Sequence, residues 1–414
     1  MRCALRVQNE MVMNMIGTKH TSFYNFTVTF FLYATLSIDL YRKMIGISVG
    51  TVRNIIYILS LSLILWDAIK TNRLVHMMVI GGVMTLLYFF SSVINFGYRQ
   101  VFISAWLLFV FRLWPAYYMG RYTEDWGGVS YCVRKYIWIG LLYALVAFTS
   151  GLFEASGANS SYATIAANLF YITWIAFYDS FHNHKVLSTI VCLICFVPVL
   201  FLGTRAGLLG AMLALLLYFG RKISRSSLQN KVWSYILLLI STVVVVLFFG
   251  SLSDYLFDLL PNSRNLSIML KGDFFNDSHR SDAFYSRMYE SFENNPLKMF
   301  GLVGNQIFIA GDGAPMDKIL GSFAHNVYLE LCMNFGVFIG VFLSIYFTIV
   351  LFRAYLKSRW LSRDIEFVFL GILGMTFVEM MVSFSWQFSY QIWLLVGMSY
   401  CIIHSRQNYY NPVE

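Results

Sequence analysis

Apolar runs long enough to cross a bilayer follow one another along most of the chain, separated by short polar stretches. A helix needs about 20 apolar residues to span the hydrocarbon core. Runs of that order lie near 22–40, 52–69, 74–92, 101–120, 134–152, 162–180, 186–203, 205–220, 232–250, 324–352, 365–383 and 387–404. The pattern predicts an all-α polytopic membrane protein with about 12 transmembrane helices. The runs at 186–203 and 205–220 almost touch, leaving only a tight turn between them.

One polar stretch, 251–322, is far longer than an ordinary connection, and such loops are usually functional. The chain therefore divides into a helical region at 1–250, a large loop containing short helices at 251–322, and further helices with a tail at 323–414. Within the loop, 279–294 has helix-forming character. Phe284, Met288 and Phe292 recur every four residues, an apolar stripe suited to the membrane surface. Asn294-Asn295-Pro296 stops that helix. No internal repeat is evident.

Charge sets the orientation, because cytoplasmic loops carry the excess of Lys and Arg. Basic residues collect at Lys70/Arg73, at Arg112, Arg121, Arg134 and Lys135, at Lys185, at Arg221, Lys222, Arg225 and Lys231, and at Arg353, Lys357, Arg359 and Arg363. The opposite loops are poor in them; Arg42 and Lys43 are outvoted. Both termini are then cytoplasmic, and 251–322, with nine acidic residues against six basic, lies on the outer face. Arg2, Arg6 and Lys19 precede the first run without a convincing cleavage site after it, which reads as a retained signal anchor.

Composition agrees. The mean hydropathy is +0.64 and only 12% of residues are charged, against about a quarter in soluble domains. The net charge of +9 sits in the short loops that encode topology, so nucleic acid is not the partner. None of the six cysteines falls in the large loop, which excludes a disulfide framework there. Cys192 and Cys195 form a CxxC inside an apolar run and read as packing residues.

Three places on the outer face carry candidate chemistry. The first is Gly203-Thr204-Arg205-Ala206-Gly207, where an Arg has apolar sequence on both sides; it either faces a polar cavity or snorkels to headgroups. The second is Ser278-His279-Arg280, with Arg287 seven residues on and on the same helical face, which otherwise is simply solvated. The third is Ala324-His325-Asn326-Val327-Tyr328-Leu329-Glu330, where the loop returns to the membrane and His325 acts as a base, a cap or a packing residue. Together they suit glycosyl transfer. Two guanidinium groups can grip a diphosphate bidentately, and a histidine suits taking a proton from a sugar hydroxyl near neutral pH. Glu379, inside the eleventh run, is a candidate second base, an acceptor-sugar ligand or an ion-pair partner. No carboxylate pair, Walker loop, HExxH or His/Cys cluster appears, so no metal site and no cofactor are expected.

These residues resemble the O-antigen ligase/polymerase superfamily of bacterial envelope glycan enzymes, with its Wzy-type polymerases and WaaL-type ligases. The likeness spans roughly 190–355. Leu202-Gly203-Thr204-Arg205-Ala206 is similar to its (S/T)R(A/G) turn. Ser278-His279-Arg280 with Phe292 and Asn295-Pro296 is similar to its SGR…F…NP segment, and Ala324-His325-Asn326 with Tyr328-Leu329 to its HN-x-YL motif, followed by Gly336 and Gly340. His279 stands where Gly is usual, and Gly301-Leu302-Val303-Gly304 is longer than the family's G-x-G, so Arg280 and Arg287 are interchangeable candidates.

The resemblance implies a metal-free glycosyltransferase of the inner (cytoplasmic) membrane with its active site in the periplasm. Its substrates would be undecaprenyl-diphosphate-linked glycans, and its partners membrane lipids and a candidate chain-length regulator. By resemblance Arg205 and Arg280 bind the donor pyrophosphate and His325 activates the acceptor hydroxyl; Arg287, Thr204, Asn326 and Glu379 are further substrate-binding candidates. The expected reaction is polymerisation of O-antigen repeat units, the alternative being ligation of the glycan to lipid A-core. An acceptor groove would be lined by Tyr285, Tyr289, Asn305 and Asp312. A twelve-helix flippase or transporter is the reading from another class; the missing repeat argues against it.

Overall fold

A computed structural model describes residues 23–36, 49–149, 161–201, 205–227, 289, 292–311, 313–322, 324, 326–382 and 385–405. Among the described residues every regular element is a helix. The order is α1 (23–36), α2 (Val49–Lys70), α3 (Leu74–Ile94), α4 (Arg99–Leu108), α5 (Trp114–Tyr122), α6 (Trp126–Lys135), α7 (Ile137–Thr149), α8 (Ser161–His182), α9 (Val186–Phe201) and α10 (Arg205–Arg225). After a gap come α11 (Gly304–Ala310), α12 (Met316–Gly321), α13 (Val327–Phe335), α14 (Val337–Ser358), α15 (Arg363–Val382) and α16 (Tyr390–His404).

The apolar runs of the sequence become these helices. Four described segments are long and apolar enough to cross a membrane: Leu74–Ile94, Phe96–Tyr122, Ala206–Arg225 and Val337–Ser358. Val186–Val197 and Tyr390–His404 are shorter apolar helices. Val75, Val79, Phe89 and Phe90 on α3, and Phe338, Phe342 and Ile345 on α14, are exposed apolar side chains of the kind that lipid covers. This is a membrane protein.

Three expectations change in detail. Arg112 is not in a loop. It lies in a π-helical segment, Phe109–Leu113, that joins α4 to α5 into one span, and its guanidinium stands 5.0 Å from the Tyr390 ring centre. Pro115 at the start of α5 cannot donate to the preceding turn, and the wider π turn accommodates it. The run 324–352 is two helices, not one. Gly336, at φ +79°, breaks it, and only Val337–Ser358 is a span. The run 387–404 begins its helix at Tyr390, after a turn at 386–388. The run at 232–250 and the loop through 288 lie outside the described residues.

Basic residues mark one end of the bundle, where ion pairs tie helix ends together. Arg225 grips Glu366 with two bonds of 2.7 and 3.0 Å, Arg221 adds a contact at 3.6 Å, and Arg134 pairs with Asp179. Toward the other end α10 packs along α15. A Cβ on Gly210 would stand 2.7 Å from Met375 Sδ and 3.0 Å from Met375 Cα, so the two backbones nearly touch. Cys192 and Cys195 are buried and free, packing residues as their sequence suggests.

Candidate active site

The opposite end of the bundle is held by neutral polar groups around one carboxylate. Asn326 begins α13 as its cap: Oδ1 accepts from Tyr328 N at 3.0 Å and Leu329 N at 3.2 Å. This satisfies two helix-start amides that have no partner within the helix. Its Nδ2 donates to the Met381 carbonyl at 3.4 Å, which joins the start of α13 to the last turn of α15.

One turn into α13 stands Glu330, 1% exposed. Its Oε1 accepts from Ser385 Oγ at 2.6 Å, Gln387 Nε2 at 2.9 Å, Gln306 Nε2 at 3.1 Å and Asn305 Nδ2 at 3.4 Å. Its Oε2 accepts from Trp386 N at 3.2 Å. Gln387 Oε1 in turn accepts from Val303 N at 2.7 Å, and Ser91 Oγ of α3 from Leu302 N at 2.8 Å. Val303 holds φ +62°, a conformation costly for a β-branched residue, and that amide bond helps to keep it there. Glu330 lies outside the spanning helix; burial pushes its carboxyl up to about 7, against hydrogen-bond donors that favour the ionised form.

Glu379 is the contrasting case. It is wholly buried on α15, and among the described residues neither carboxyl oxygen has a hydrogen-bond partner. Of the three roles read from sequence, pairing with a basic residue is therefore not seen there. Tyr171 and Thr376, which bond each other at 2.6 Å, lie close by.

The helix register places the predicted residues relative to one another. At a rise of 1.5 Å per residue, Arg205 begins α10 about 7–8 Å beyond Gly210, and Glu379 lies about 6 Å beyond Met375. The two helices run antiparallel from the Arg225–Glu366 clamp, so the start of α10, Glu379 and the Asn326 cap gather at one end. Thr204, Arg280, Arg287 and His325 lie outside the described residues.

The acceptor groove is only partly as expected. Tyr289 is exposed, but Asn305 is buried and spends its amide on Glu330 and Gln387, so it cannot line a groove. Tyr285 and Asp312 lie outside the described residues. Phe292 of the loop stripe packs against Ala324 and Met333 rather than on a membrane surface. Glu330 stands in the third sequence segment beside His325 and Asn326, and a carboxylate inside an apolar run is itself a signal. Gln306 and Ser385 carried no such signal, because their partner is distant in sequence.

Residues 190–345 match the family model described as O-antigen ligase. No curated protein matches the chain.

Proposed function

We propose, from the premise that residues 190–345 carry the domain of the O-antigen ligase/polymerase superfamily, that the chain is a metal-independent membrane glycosyltransferase. Its donor is an undecaprenyl-diphosphate-linked glycan and its reaction the joining of O-antigen repeat units at the periplasmic face. The acceptor hydroxyl oxygen attacks the anomeric carbon while the bond from that carbon to the diphosphate breaks. His325 takes the hydroxyl proton, and Arg205 with Arg280, or with Arg287 in its place, stabilises the charge on the departing diphosphate. Glu379 receives an acceptor hydroxyl, and Thr204 and Asn326 complete the substrate contacts.

The observation that carries this reading is the gathering, at one end of the bundle, of the α10 start, the Asn326 cap and a buried carboxylate that has no partner among the described residues. A carboxylate is rarely buried without a partner unless it has work to do with a ligand. The family match fits equally the second reading, ligation of the glycan to lipid A-core.

Deleting the gene and running lipopolysaccharide on a gel separates the two. Core bearing a single repeat unit supports the polymerase, and core bearing none supports the ligase. An unchanged ladder refutes both. Arg205→Ala, Arg280→Ala and His325→Ala should each abolish glycan growth while the protein still inserts. Arg280→Lys should fail as well, because an ammonium cannot replace the planar fork.

A further inference from the structure

Glu330 collects five hydrogen bonds from two segments remote in sequence. Asn305 and Gln306 open α11, and Ser385, Trp386 and Gln387 form the turn between α15 and α16. A carboxylate suits this post because it only accepts, and it offers about four lone-pair sites on two oxygens. Glutamine keeps one acceptor oxygen but turns an NH2 toward the Trp386 amide, donor against donor. Among the described residues, further ties of α13 act at its two ends, beside the bond from Thr348 Oγ1 to the Tyr328 hydroxyl at 3.2 Å. At the start they run from Asn326 to Met381, and at the finish from Phe300 N to Met333 O and from Gly301 N to Asn334 O, both at 3.1 Å. Glu330 is the ionisable tie between them.

The two buried carboxyls at this end are used in opposite ways. Where the fold needs one for its own structure it surrounds it with donors, as at Glu330; Glu379 receives none among the described residues. Glu330 is 1% exposed and already accepts five hydrogen bonds, so its influence on chemistry runs through the helix it holds.

We infer that Glu330 is a positioning residue for the transfer: it locks α13, and with it the Asn326 cap that follows His325 in the chain, to the 385–387 turn and the 305–306 segment. The inference rests on the glycosyl-transfer reading above. It makes no claim that Glu330 touches substrate.

The test is a double-mutant cycle on the purified full chain, with a lipid-diphosphate-linked repeat unit as donor and acceptor. Glu330→Gln should lower kcat by about 100-fold, as expected for a displacement near 1 Å at a reacting group, with KM within a few-fold of wild type. In the His325→Ala background, whose residual transfer is read by radiolabel over hours, Glu330→Gln should cost less than about threefold, because the group it positions is already gone. Ser385→Ala, which removes the shortest donor without touching the carboxylate, should reproduce part of the kcat loss and guards against a misfolded Glu330→Gln.

Wild-type kcat in both Glu330→Gln and Ser385→Ala overturns the inference. So does an equal loss in the two His325 backgrounds, which would put the effect of Glu330 elsewhere. Absence of any transfer by the wild-type chain instead refutes the glycosyl-transfer reading itself.

Discussion

Gly340 is where the pairing of α13 with α14 can be challenged most directly. A methyl group there would stand 2.5 Å from Cys332 N and 2.8 Å from Leu331 C, and closer still to Cys332 Cα. These are backbone atoms, so no side chain can swing aside. The hairpin must open by roughly 1 Å to restore the ordinary carbon contact of about 3.5 Å. Overpacking of this kind costs about 1–3 kcal/mol. Alanine's better helix propensity returns at most about 1 kcal/mol, leaving a net loss of about 0–2 kcal/mol when that is returned in full. Gly82 on α3 is the internal control, since a Cβ there meets nothing within 4 Å. Gly82→Ala should be neutral or slightly stabilising. Thermal unfolding of both variants beside wild type, in one detergent, reads the difference. If Gly340→Ala melts level with Gly82→Ala, the close approach of α13 to α14 is wrong.

Glu366→Ala removes the carboxylate partner of Arg221, whose side chain is 8% exposed, leaving it the Tyr355 carbonyl at 2.8 Å, and should destabilise by about 3 kcal/mol; Arg225→Ala, which leaves Glu366 its contact with Arg221, should cost less. Unfolding midpoints compare the two. Because the folded carboxyl of Glu330 titrates near 7 and the unfolded one near 4.5, its contribution to stability is full below pH 4.5 and is lost as pH rises through 7. Wild type should therefore lose more stability than Glu330→Gln between pH 5 and 8, and parallel curves would contradict the assignment. Asn326→Asp keeps the cap acceptor and removes the donor to Met381, whereas Asn326→Ala removes both. The alanine variant should lose about 1 kcal/mol for the cap alone, measured by the same unfolding.

Much of this fold is legible in the sequence because lipid imposes one simple demand, that each spanning segment satisfy its own backbone. That is why the runs at 74–92 and 205–220 become α3 and α10 almost as drawn. Hydropathy cannot see where a run breaks. Gly336 and the π turn around Arg112 are each decided by one residue's backbone preference, and neither changes the average over a window. At the site, the motif around Asn326 was visible because its residues are adjacent. The partners of Glu330 were not, since Gln306 and Ser385 lie 24 and 55 residues away from it. A long-range polar knot leaves only an unremarkable amide or hydroxyl at each of its separate positions.

The single residue between α13 and α14 has a mechanical consequence. Gly336 is the whole linker, and Gly340 presses α14 onto Cys332, so the two helices move together. α14 has 22 residues and is about 33 Å long, close to the roughly 30 Å of a typical hydrocarbon core. A thicker or thinner bilayer changes the tilt of such a helix. Through this short elbow, that tilt reaches Asn326 at the far end of α13, so lipid chain length acts on the end of the bundle where Asn326, Glu330 and Glu379 gather.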